Sequence, residues 1–268
     1  MVENAYNPVR VFWSSAVLAK RALFAWLNPA MWATQLLFLS LFQMAFFVYV
    51  ATFVDNEEVT VEYVAIGNAL QSLAYVSVFA VCNITGEEKS QGTIEALLVS
   101  PASRFSVFVG RGMFQIVNGL ATVAIAFLYA AFIFNVDFSN ANLLGLVLVI
   151  LVTTFAMTGF GLMLSSLGLF LRTSMIIANI FLFMGLLVCG VNFPVSYLPA
   201  YIQPISYAIP MTYGTEAARM AVAGSPLGDI SGLLGLEALV GLVVMLTGYL
   251  MFRWFERIAR SKGTLDRF

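Results

Sequence analysis

The chain has 268 residues, of which 61% are hydrophobic and only 10% charged, with a formal net charge of −1. Soluble domains carry about 25% charged and about 45–50% apolar residues, so this is the composition of an integral membrane protein, and a net charge so close to zero offers no bulk field to nucleic acid. The absence of histidine removes the commonest general base and metal ligand, and the cysteines, Cys82 and Cys189, sit in apolar runs as small buried hydrophobes that do not report redox compartment.

Residues 9–27 mix Arg10, Lys20 and Arg21 with Phe12, Trp13, Leu18, Leu23, Phe24 and Trp26 at helical spacing. Bases and tryptophans flanking an apolar stripe fit a helix lying in the interface plane; the alternative is a plain extension of the first span. No cleavable signal peptide is expected, because the first long apolar run begins near Pro29, has full spanning length and lacks an obvious cleavage site. A crossing helix needs roughly 20 apolar residues. The runs that qualify are Pro29–Val54, Tyr63–Asn83, Phe105–Phe134, Leu143–Leu169, a shorter Ser174–Val191, and Ile230–Trp254. Within a bilayer every backbone polar group must be satisfied internally, so runs this long read as helices. The expected fold is all-α: one polytopic domain over residues 1–268, with six transmembrane helices.

With six spans both termini share a side. Of the 13 Lys and Arg residues, all but Arg219 then fall on that side. The positive-inside bias makes it cytoplasmic. The outer loops carry Asp55, Glu57, Glu58, Glu62, Asp137, Glu216 and Asp229. Residues 192–213 contain Pro194, Pro199, Pro204 and Pro210. Prolines this dense forbid one continuous helix, yet the segment is too apolar for a solvated loop. Short broken helices tucked at the outer interface, over residues 192–222, satisfy both facts; an ordinary outer loop is the alternative. The basic tail after Phe252 reads as a positive-inside stop, with anionic-lipid binding as a secondary role. No internal repeat holds at residue level.

Several chemistries are missing. A phosphate-binding loop needs Gly-Lys-Ser/Thr; the lysines, Lys20, Lys89 and Lys262, follow Ala19, Glu88 and Ser261. ATP-driven transport would therefore need ATP and Mg²⁺ bound by another chain, and this chain is expected to hold no cofactor, metal or catalytic residue. Ion coupling needs ionisable groups deep in the membrane. Only Glu237 has depth, and it reads as a helix-packing acid paired with a polar neighbour or with Arg219. Arg111 lies near enough to the cytoplasmic face to snorkel.

The polar stretch 86–101, between the second and third spans, is the most specific feature. Gly92 breaks the preceding helix. Thr93 caps a short helix with Glu95 in its first turn, where the dipole favours an acid. Ile94, Leu97 and Leu98 share a face, and Ser100-Pro101 restarts the chain as a new helix. A knob of this shape fits a groove on a cytosolic partner; a loop that merely connects two spans would not need a capped apolar face.

Glu87-Glu88-Lys89-Ser90-Gln91-Gly92-Thr93-Ile94-Glu95-Ala96-Leu97-Leu98-Val99-Ser100-Pro101 resembles the signature of ABC type-2 transporter permeases, the membrane subunits of ATP-binding-cassette exporters of drugs and polysaccharides. Met211 to Arg219 resembles the family's segment before the last span. The resemblance implies a coupling helix made by Gly92, Thr93, Glu95, Leu97, Leu98 and Pro101, with Glu87 and Glu88 at its entry. It would seat in an ATPase subunit. Two permeases would pair with two ATPases in a prokaryotic plasma (inner) membrane, and substrate would pass between the permeases. Candidate pathway residues are Gln35, Phe42, Gln43 and Phe46 in the first span, Asn68, Gln71, Tyr75, Phe79 and Asn83 in the second, and Asn179 and Phe183 in the fifth. Interhelical hydrogen bonding is the competing explanation of the polar ones. Their near lack of charge favours a hydrophobic or amphipathic cargo, with polysaccharide or lipid export as the alternative. A secondary carrier or scaffold that needs no ATPase is the remaining class.

Overall fold

The computed structural model describes residues 7–26, 28–54, 56–90, 104–171 and 174–262, and among them every regular element is helical. In chain order these are α1 (Pro8–Trp26), α2 (Pro29–Val54), α3 (Val61–Ser90), α4 (Arg104–Phe132), α5 (Leu143–Leu171), α6 (Ser174–Val188), a 3₁₀ turn (Val195–Tyr197), α7 (Gln203–Tyr207), α8 (Met211–Val222) and α9 (Leu227–Lys262).

Local sequence sets the starts. Both α1 and α2 open on Asn-Pro. Asn7 Oδ1 accepts from Val9 N, and Asn28 Oδ1 from Ala30 N, each at 3.0 Å. The asparagine caps an orphan amide and the proline supplies a preset φ at the first helical position. Thr60 caps α3, its Oγ1 accepting from Tyr63 N at 3.1 Å. Asn142 caps α5 by accepting from Gly145 N at 3.0 Å, and its own Nδ2 donates to Ser225 O at the same distance. Gly224, at φ +86°, takes the left-handed turn that ends α8.

Among the described residues, three helices are long and apolar enough to cross a membrane: Pro29–Val54, Leu143–Leu167 and Leu227–Trp254. Ile116–Phe132 of α4 and Ile176–Gly185 of α6 are shorter apolar stretches among the described residues. Helix α6 has 15 residues, about 22 Å at 1.5 Å per residue, against about 30 Å of hydrocarbon. The expected span Tyr63–Asn83 lies within α3, which runs on to Ser90, and α6 ends at Val188.

Helix α3 is the hub and packs on α2, α4, α5, α6 and α8. Its apolar residues from Val64 to Val78 are almost all fully enclosed. Helix α1 lies on α4, with Ser15 turned inward and Val9, Trp13 and Val17 exposed at four-residue spacing. Helices α5 and α9 pack along their lengths through small residues. A Cβ on Gly248 would fall 2.7 Å from Met163 N, and one on Gly241 2.5 Å from Ala156 Cβ. Close backbone approach through small residues is how helices associate where lipid competes with side chains. Ser166 Oγ adds a donor across the seam, to Gly248 O at 2.9 Å.

Gly248→Leu therefore overpacks this seam. It should cost on the order of 1–3 kcal/mol and lower the thermal midpoint of the detergent-solubilised protein. Gly235→Ala, a position with open space around it, should leave the midpoint unchanged in the same assay.

Candidate functional site

Glu87 and Glu88 lie in the last turn of α3. Gly92, Thr93, Glu95, Leu97, Leu98 and Pro101 lie outside the described residues, so the short capped helix expected there is not described. What the fold supplies is its mounting. Helices α3 and α4 flank the stretch and pack on each other, and α1 packs on α4.

The candidate pathway residues separate into two groups. On α2, Gln35, Phe42 and Phe46 face outward, with Gln43 half-buried, while Ser40, Met44, Val48 and Ala51 form the buried face. Phe38 and Phe42 stack at 5.8 Å between centroids. On α6, Phe183 is exposed and Asn179 half-buried. The α3 residues are instead enclosed: Asn68, Gln71 and Phe79 are buried and Tyr75 is half-buried against Phe79, their rings 4.4 Å apart. Asn68 Nδ2 donates to Val64 O at 2.9 Å and to Asn192 Oδ1 at 2.8 Å. Asn83 belongs to α3, about two turns before its end at Ser90. The single chain does not bring these residues to one surface.

It does assemble a polar junction that periodicity could not reveal. Helix α6 ends at Val188, and the chain then turns through Cys189, Gly190 and Val191, leaving carbonyls with no helical partner. Helix α8 supplies donors from one stripe at helical spacing. Thr212 Oγ1 donates to Ser206 O at 2.5 Å and Thr215 Oγ1 to Cys189 O at 3.2 Å. Arg219 Nη2 donates to Gly190 O at 2.8 Å, Val191 O at 3.0 Å and Tyr63 O at 3.1 Å, and its Nε also reaches Tyr63 O at 3.2 Å. The guanidinium lies 3.4 Å over the Tyr63 ring, whose hydroxyl donates to Gly190 O at 3.0 Å. Gly67 makes the space: a Cβ there would collide with Val191 O and stand 2.8 Å from Arg219 Nη2. Helix α8 lies outside the spanning helices. Burial lowers the Arg219 guanidinium to about 10, against the opposing pull of Tyr63 and Glu216, so it stays charged at neutral pH. One cation thus ties the start of α3, the end of α6 and α8 together. The sequence signal was Arg219 itself, the lone base on the acidic side.

Of the two partners weighed for Glu237, the structure selects the polar neighbour. Thr153 Oγ1 donates to Glu237 Oε1 at 2.7 Å, while Arg219 is engaged by carbonyls.

A bundle of this composition, with three helices of spanning length and apolarity, defines a multi-pass membrane protein. The sequence profile of the ABC-2 type transporter matches residues 14–222, and the chain belongs to that family, whose members supply the membrane-embedded part of ABC transporters. Two curated relatives match over 165 residues at 21% identity, covering 61% of this chain and 45% of theirs. Each is described as a probable multidrug ABC transporter permease YbhR, one from Escherichia coli strain K12 and one from Escherichia coli O157:H7. The chain thus spans under half the length of the curated relatives it matches.

Removing Arg219 takes the donor from Val191 O and leaves Gly190 O with the Tyr63 hydroxyl alone, and a carbonyl left unsatisfied costs about 1–3 kcal/mol. Arg219→Ala should therefore lower the thermal midpoint sharply. Arg219→Lys keeps the charge but not the fork, and should recover only part of the loss.

Proposed function

We propose that this chain is the transmembrane subunit of an ABC exporter that moves a hydrophobic or amphipathic small molecule outward. The observation that carries the reading is the family match over residues 14–222. ATP and Mg²⁺ are bound by a separate cytosolic ATPase, consistent with the absence of a Gly-Lys-Ser/Thr sequence around any lysine. In this reading α2, α3, α4, α5, α6 and α9 all span an inner membrane and both termini are cytoplasmic, which the one-sided distribution of bases supports.

The ATPase docks on residues 86–101. Glu87 and Glu88 stand at the entry, Gly92 and Thr93 set the break and cap, and Glu95, Leu97, Leu98 and Pro101 form the seated knob. Two copies of the chain pair, with a second ATPase completing the assembly. ATP binding closes the ATPases, and the loop and α1 act as levers on α3 and α4. Substrate passes between the two chains, along the outward side chains Gln35, Phe42 and Phe46 of α2 and Phe183 of α6, with Gln43 and Asn179 at the edge of that surface. Asn68, Gln71, Tyr75, Phe79 and Asn83 line the pathway from α3 only if the bundle opens, since most of them are enclosed in the single chain. The small-molecule cargo draws support from the uncharged aromatic character of these faces and from the description of the relatives as probable multidrug permeases.

Leu98→Asp would set a charge against an apolar groove and should reduce export by about tenfold or more without changing the amount of protein in the membrane. The measurement is substrate efflux and ATPase activity of the reconstituted complex, across a panel of amphipathic drugs and lipid-linked glycans. Undiminished export by a Leu98→Asp, Glu95→Lys double variant would contradict the docking role. Stimulation by glycans alone would contradict the cargo.

A further inference from the structure

Glu237 is fully enclosed between α9, α5 and α8. Its Oε1 accepts one hydrogen bond, from Thr153, and its Oε2 has no partner among the described residues. Gly214 of α8 lies directly on this pair: a Cβ there would collide with Glu237 Oε1 and sit 2.6 Å from Thr153 Oγ1. The backbone of α8 therefore rests on the carboxyl group with nothing between them.

Among the described residues the surroundings hold no compensating charge. Helix α5 carries no ionisable residue. On α8, the Tyr213 hydroxyl donates to Tyr207 O, Glu216 is exposed, and Arg219 is spent on three carbonyls. On α9 itself the nearest acid, Asp229, is exposed and about 12 Å away along the helix axis at 1.5 Å per residue. The nearest described base of α9, Arg253, is over four turns on, at exposed positions near the other end.

An ionised carboxylate offers two charged oxygens and here would meet a single donor. A buried charge so poorly compensated is the arrangement proteins avoid by neutralising the group. Thr153 is arranged accordingly. The neighbouring threonines of α5 spend their hydroxyl protons on their own helix, Thr154 on Ile150 O at 2.6 Å and Thr158 on Thr154 O at 2.7 Å. Thr153 instead donates across the seam.

We propose that Thr153, Gly214 and Glu237 form a buried proton-binding site in which Glu237 is carried as the neutral carboxylic acid, Oε1 accepting from Thr153 and Oε2 holding the proton. The proton is a fixed structural ligand. It allows α8, and with it the outer helices, to lie against the α5–α9 pair without a charge pressed on its backbone. This does not depend on what drives transport or on which cargo is moved.

The test is infrared difference spectroscopy on the purified full chain in lipid nanodiscs at neutral pH. The wild-type spectrum minus that of Glu237→Gln should contain the C=O stretch of a protonated carboxylic acid. In Thr153→Val the band should persist and move to higher wavenumber, because its carbonyl loses a hydrogen bond. Glu237→Gln, a neutral isostere, should unfold within a few degrees of the wild type. A difference spectrum showing only carboxylate stretches, or a large loss of thermal midpoint in Glu237→Gln, would overturn the assignment. Should Glu237→Gln not accumulate, Thr153→Val decides alone: an upward shift of the acid band supports the site, and an absent or unmoved band refutes it.

Discussion

Breaking a helix inside a membrane-embedded bundle exposes main-chain carbonyls where water cannot reach them, and the contact that answers the break is the Arg219 guanidinium. Everything on the outer side depends on it. The chain leaves α6 early, after 15 residues, and turns back through proline-started pieces. That turn is tolerable only because Arg219 and Thr215 donate to the carbonyls of Cys189, Gly190 and Val191. The same cation reaches the first turn of α3, the hub helix, so the outer segment and the core share one fastening. Such a contact contributes most through what its loss would leave unsatisfied.

The four prolines of the outer segment act as punctuation. Pro194 precedes the 3₁₀ turn, Pro204 sits at the start of α7, and Pro210 precedes α8. Each occupies a place where its missing N–H would have had no helical acceptor anyway. The result is a stack of short elements that carries α8's donor stripe to the end of α6. On the opposite side, α1, α3 and α4 converge on the polar stretch between the second and third spans. The two are joined by α3, which meets the Arg219 fastening at Tyr63 and ends at Ser90, beside the polar stretch.

Composition and hydropathy made the all-helical membrane class legible, and the motif at residues 87–101 made the family legible, because short capped helices and long apolar runs are local signals. What could not be read was which groups meet. Arg219 stood out only as an exception to the charge bias; its targets, Tyr63 and residues 190–191, are far away in sequence. For Glu237 two partners were open, and Thr153 is the one in contact. The α3 stripe of Asn68, Gln71, Tyr75 and Phe79 has helical spacing whether it lines a path or packs inside a bundle. In a membrane both kinds of neighbour are apolar, so periodicity alone does not say which surface a polar face meets. The end of α6 at Val188 and the turn through Gly190 were likewise not legible in its apolarity.

In the proposed mechanism the chain is driven through residues 86–101 by a separate ATPase. Photo-cross-linking from a benzophenone maleimide attached to a Leu97→Cys variant, in native membranes with and without ATP, reports directly on contact with the ATP-binding subunit. The account predicts a specific cross-link whose yield changes with nucleotide. Efflux sustained by the purified chain alone, with no cross-link to any ATP-binding protein, would contradict it.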